Sequence, residues 1–133
     1  MFMNFLIRDF KPLPVLGAAL AVWIVAAGCS PGRTTAAKPI PPEQVAPTIE
    51  TAFKAANPEA KEAANDVVAA MQSQDHPRAL VQLQVLAAHP DLTPEQSTAT
   101  ARSLISVLTQ LQIAAANGNK AAADILQKYR ATK

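Results

Sequence analysis

At 133 residues, with 12 Lys and Arg against 10 Asp and Glu, the chain has a formal net charge of +2. That balance leaves no basic footprint for nucleic acid, and a single cysteine excludes any disulfide within the chain. Half the residues are hydrophobic but only 5% are aromatic, so a core must be built largely from Ala, Leu, Val and Ile and will be thin for a domain of this size.

The N-terminus sets Arg8 and Lys11, with Asp9 between them, ahead of an apolar stretch from Pro12 to Gly28. A spanning helix wants about twenty apolar residues. This stretch is shorter, and Pro12, Pro14 and Gly17 weaken its first turns. It closes on Val25-Ala26-Ala27-Gly28-Cys29. A charged start, an apolar middle and small residues before a cut site make a secretory signal pattern.

With Cys29 directly after the small residues, residues 1–29 resemble the signal segment of bacterial lipoproteins, whose lipobox ends on a cysteine. The resemblance implies a diacylglyceryl group on the Cys29 thiol, cleavage between Gly28 and Cys29, and acylation of the new amine with a palmitate-type chain. Ala26 departs from the larger aliphatic residue usual at its position. One lipid chain holds a protein only marginally and two or more hold it stably, so the resemblance implies a membrane partner through the lipid on Cys29. Ser30, in place of aspartate, resembles lipoproteins sent onward to the outer membrane of double-membrane bacteria. The expected location is the cell envelope, on the extracytoplasmic side of the outer or plasma membrane. An uncleaved N-terminal anchor is the alternative reading.

The domain division expected is a signal peptide over 1–28, a lipidated cysteine and linker over 29–47, and a helical domain over 48–133. Pro31, Pro39, Pro41, Pro42 and Pro47 mark the linker, because proline removes donors and fixes φ. From residue 29 onward ten cations face nine anions, so the helical domain is nearly neutral.

Helical periodicity follows. Ile49, Ala52, Phe53 and Ala56 recur on one helix face. Asn57-Pro58 is a start signal, an N-cap followed by proline at the first helical position. The next stripe is Ala60, Ala64, Val67, Val68 and Met71. Asp75-His76-Pro77 restarts the chain, and Ala79, Leu80, Leu83, Leu86 and Ala87 line the third helix. Thr93-Pro94-Glu95-Gln96 has the spacing of a capping box. The longest helix follows, with Ala101, Leu104, Ile105, Leu108, Leu111 and Ala115 on one face. Asn117-Gly118-Asn119 is a stop and turn, and Ala122, Ile125, Leu126 and Tyr129 line the last helix. The fold class predicted is all-α, a small bundle or helical-hairpin array of about five helices, with Leu83, Leu104, Leu108 and Leu126 in its core. The segments at 75–79 and 118–122, each leading to larger apolar residues, resemble the second helix of a tetratricopeptide-type hairpin over about a dozen residues.

No residue pattern supports catalysis, and an enzyme is not expected. Asp75-His76 and His89-Pro90-Asp91 close a metal site only if their two turns meet; aspartate capping a helix beside a turn histidine explains them better, and no metal or cofactor is expected. Ser103 and Ser106 lie within a helix with no Gly-rich elbow, and Glu59, Glu62 and Asp66 form a solvated face. The function expected is a lipid-anchored cell-envelope protein whose helical domain binds or scaffolds an envelope protein partner. An envelope ligand-binding or enzymatic role, or a pilotin-like secretion accessory, is the alternative. The candidate interaction surface is Val107, Leu111 and Ala114, which broaden the stripe of the long helix.

Overall fold

The computed structural model describes residues 37–132. Gly28 and Cys29, with the rest of the signal segment, lie outside the described residues. A 3-10 turn over Pro42–Gln44 runs into α1, Val45–Phe53. Four more helices follow: α2, Pro58–Gln72; α3, His76–Ala87; α4, Pro94–Ala116; and α5, Lys120–Ala131. No strand occurs among the described residues. The five-helix, all-α expectation therefore holds.

Each helix from α2 to α5 starts on a side-chain cap that satisfies a backbone donor lacking a helical partner. The Asn57 carboxamide oxygen accepts from the Ala60 N–H at 2.8 Å. The Asp75 carboxylate accepts from Arg78 at 3.0 Å, and the Asn119 carboxamide oxygen from Ala122 at 3.1 Å. Thr93 and Gln96 complete a capping box: the Thr93 hydroxyl accepts from Gln96 N–H at 3.2 Å, and Gln96 Oε1 accepts from Thr93 N–H at 3.0 Å.

The turns α2–α3 and α4–α5 share one geometry. In the first, Asp75 N–H donates to Ala70 C=O and Gln74 N–H to Met71 C=O; in the second, Asn119 N–H donates to Ala114 C=O and Gly118 N–H to Ala115 C=O. This is the Schellman arrangement, and in both turns the residue closing it also caps the next helix. The middle residue must take a positive φ: Gly118 at 89°, and Gln74 at 56°. The shared turn accounts for part of the likeness between the two segments. Their registers differ, because the buried small residue is the fourth residue of α3, Ala79, and the third of α5, Ala122.

The helices α1 to α4 close into a ring, each packed on the next and α1 on α4, while α5 lies against α4 and α3. Short connections make sequence neighbours antiparallel. The core contains Ile49 and Phe53 of α1, Val67 of α2, Leu80, Leu83 and Leu86 of α3, Val107 and Leu111 of α4, and Leu126 of α5. Small residues at Ala60, Ala64, Ala79 and Ala122 are buried between them.

Three expectations need correction. The linker does not extend to Pro47: Ile40 and Val45 are both buried, and the helical chain begins at Pro42. Pro42 opens the 3-10 turn and Pro47 sits in the first turn of α1, where N–H groups have no helical partner and a fixed φ near −65° suits the helix. Second, the buried sector of α4 centres on Ser103 and Val107, with Leu104 and Leu108 only partly buried. Third, Val107 is fully buried and Leu111 nearly so, at 0% and 1% exposure, and Ala114 is half-buried against the same core. These three residues are not a docking surface. Because α4 has α1, α3 and α5 as neighbours, its buried sector is wider than a single apolar stripe.

The two Schellman turns generate a paired prediction. A side chain at positive φ costs about 1–2 kcal/mol, partly offset by the larger unfolded-state entropy of glycine. Gln74→Gly should raise stability by about 0.5–1 kcal/mol. A Cβ on Gly118 would meet no atom within 4 Å, so Gly118→Ala should lower stability by about 1 kcal/mol through backbone strain alone. Urea unfolding followed by circular dichroism measures both.

Candidate functional site

The buried face of α4 is partly polar. Four buried polar residues, Gln96, Thr100, Ser103 and Ser106, all belong to α4. A buried hydroxyl or amide is tolerated only when hydrogen-bonded, and three of the four meet that condition. Gln96 Nε2 donates to the Ala52 carbonyl near the end of α1 at 3.3 Å. Thr100 donates back to the Gln96 carbonyl at 2.8 Å. The Ser106 hydroxyl accepts from the Ile40 N–H at 2.9 Å. Its single proton goes to the Ile40 carbonyl or to the Arg102 carbonyl at 3.1 Å. Ser103 Oγ is buried without a partner among the described residues.

One turn before Ser106, Arg102 Nε donates to the Lys38 carbonyl at 3.1 Å. Arg102 and Ser106 thus strap the segment before α1 onto the outside of α4. The register is antiparallel: the start of α1 lies beside Ser106, and its end beside Gln96.

Between these ties small side chains line the surface where α1 meets the first two turns of α4. A groove of about 760 Å³ opens there, lined by Gln44, Pro47, Thr48, Thr51 and Ala52 on one side and Pro94, Glu95, Thr98, Ala99 and Arg102 on the other. Its two walls repeat one pattern: Pro47-Thr48-Ile49-Glu50-Thr51-Ala52 and Pro94-Glu95-Gln96-Ser97-Thr98-Ala99 share proline, threonine and alanine at the same spacing. The prolines lie in the first turns of their helices, and the small residues after them leave room that Leu or Phe would fill. Thr51 donates to the Pro47 carbonyl and Thr98 to the Pro94 carbonyl, each at 2.8 Å. The hydroxyl protons of Thr51 and Thr98 are thereby used, and among the lining threonines that of Thr48 is left available.

Apolar periodicity does not mark the groove, because its walls are largely proline, threonine and alanine. The repeated Pro-x-x-x-Thr-Ala spacing was the available signal. The other sequence candidates are not brought together. His76 and His89 flank opposite ends of α3. His89 Nε2 stands 3.9 Å from Glu59, whose side chain is 91% exposed; such a pair contributes little to stability. Among the described residues no three His, Cys, Asp or Glu side chains gather as a metal site, and no helix is long and apolar enough to cross a membrane.

Comparison of the chain with protein-family models, with curated proteins and with solved structures finds no match in any of the three.

The strap generates a direct prediction. Ser106→Ala should expose the Ile40 amide to faster hydrogen exchange and lower stability by about 1–3 kcal/mol, the usual cost of leaving a buried backbone group unpaired. Amide exchange by NMR should show the change at Ile40 and little at Leu83. For the same reason a chain starting at Thr48, which lacks Ile40 and Val45, should be less stable than one starting at Ala37.

Proposed function

We propose that this chain is a lipid-anchored protein of the cell envelope whose helical domain is a binding or scaffolding module, docking a partner protein in the groove between α1 and α4. The groove is the observation that carries the docking part of this reading. It is lined by small and polar side chains of α1 and α4, and it replaces the Val107, Leu111 and Ala114 surface. The Val25–Cys29 run supports the anchoring part, with Cys29 as the lipidated residue. Concave sites with an apolar middle and a few polar groups at the margins are the usual form of a binding site.

On this reading the tether is short. With Ile40 held on α4, about ten residues separate it from Cys29, and an extended chain of that length reaches roughly 30 Å. The partner would be held close to the membrane, within the envelope.

Two measurements test the reading. Cys29→Ser should yield an uncleaved or soluble species, and the intact mass of the unaltered protein should show a lipid-modified cysteine at its N-terminus. An unmodified cysteine in an exported, cleaved protein would contradict the anchoring. Thr98→Trp, which places a large ring in the groove at an exposed position, should abolish co-purification of a stoichiometric protein from detergent-solubilised membranes while leaving the helical signal unchanged. Retention of that protein would contradict the groove.

A further inference from the structure

We infer that the groove is built for a short amphipathic helix of the partner protein, with an acidic residue meeting Arg102 and a basic residue, two turns away, meeting Glu95. The inference rests on the docking reading and adds the chemistry of what docks.

Length selects the secondary structure. α1 has nine residues and is about 14 Å long, so the groove beside it accommodates roughly three helical turns. Its middle offers Ala52 and Ala99, two threonines whose hydroxyl protons are already used, and the single hydroxyl of Thr48. A guest with unpaired backbone N–H and C=O groups would find few partners there, whereas a helix satisfies its own backbone and presents only side chains. Walls of small residues accept large apolar side chains from the guest.

Charge selects the pattern at the ends. Arg102 uses Nε on the Lys38 carbonyl, and its terminal amino groups make no hydrogen bond among the described residues. Their planar geometry suits a carboxylate. Glu95 is exposed and has no ion-pair partner among the described residues. The two lie seven residues apart on α4, roughly 10 Å along its axis, so a guest helix alongside carries its complementary charges at the same spacing. The helix dipoles of α1 and α4 oppose each other, which leaves these two side chains to set the electrostatic preference.

The test places a photo-crosslinking benzoylphenylalanine at Thr51 or Thr98 of the full chain, and at Val85 as an exposed apolar control on α3, in cells that make the protein. Adduct sites are mapped by mass spectrometry. The inference expects both groove positions to label one partner segment, at helical spacings, with an acid and a base seven residues apart. Arg102→Glu and Glu95→Lys should each reduce the yield about fivefold, as loss of an exposed ion pair allows. Exchanging the partner's acidic residue for Lys should restore the yield in Arg102→Glu. Because Glu95 makes no hydrogen bond through its side chain among the described residues, Glu95→Lys stays informative if Arg102→Glu disturbs the strap. A groove adduct on a protein segment without that charge pair, or one insensitive to both reversals, overturns this inference and leaves the docking reading standing. Adducts only on lipid or small molecules, or none above the Val85 control, overturn both.

Discussion

The N-terminal part of the domain is held in the core by Ile40, Val45, Ile49 and Phe53 and is tied to α4 by a few side-chain hydrogen bonds. Ser106 holds both backbone groups of Ile40 within reach, Arg102 takes the Lys38 carbonyl, and Gln96 ties the end of α1. The Ser106–Ile40 pair is buried, and removing one partner of a buried polar pair costs more than a typical hydrogen bond contributes, so this contact favours one register of the N-terminal segment on α4. The ties sit at the two ends of α1. The groove lies along the seam between the same pair of helices, lined by proline, small and polar side chains.

The same seam explains what the sequence disclosed and what it concealed. Helix starts at Asn57, Asp75 and Thr93 were legible because each has a local role, capping its own helix within three residues; Asn119 caps α5 in the same way but reads in the sequence as part of a turn. The number of helices followed from spacing alone, as did the α3 stripe through Ala79, Leu80, Leu83 and Leu86, though Ala87 at its end is exposed; Leu83 and Leu126 are in the core as expected. The orientation of α4 was not legible, because periodicity counts apolar residues while the buried face here includes Thr100, Ser103 and Ser106. A hydroxyl that returns its proton to the carbonyl four residues back, as Thr100 does, is buried at little cost and reads as polar in a sequence. Apolar spacing alone therefore points Leu104 and Leu108 inward, whereas both are only partly buried.

The proline-rich stretch concealed a boundary in a different way. Pro41, Pro42 and Pro47 suit an extended linker and the first turn of a helix equally well, since both need φ near −65°. Only the long-range contacts of Ile40 and Val45 decide between them, and no local pattern carries that information. The candidate surface at Val107, Leu111 and Ala114 failed because a stripe broad enough to meet three neighbouring helices looks, in sequence, like a stripe with apolar area left over. The groove was concealed because Pro, Thr and Ala are read as spacers.

Anchor, tether and groove form one physical account: a lipid at Cys29 would confine the domain to a membrane, a short tether would keep it near, and an open seam would receive a partner there. Because the chain has a single cysteine, which this account places under lipid, a cysteine introduced by Thr98→Cys would be the only free thiol in the protein. The most direct measurement is its rate of maleimide labelling in isolated envelopes and in the purified protein, with Val85→Cys as reference. The account predicts that Thr98→Cys labels more slowly in envelopes, where the groove is occupied, while Val85→Cys labels alike in both. Equal labelling of Thr98→Cys in the two settings would contradict it.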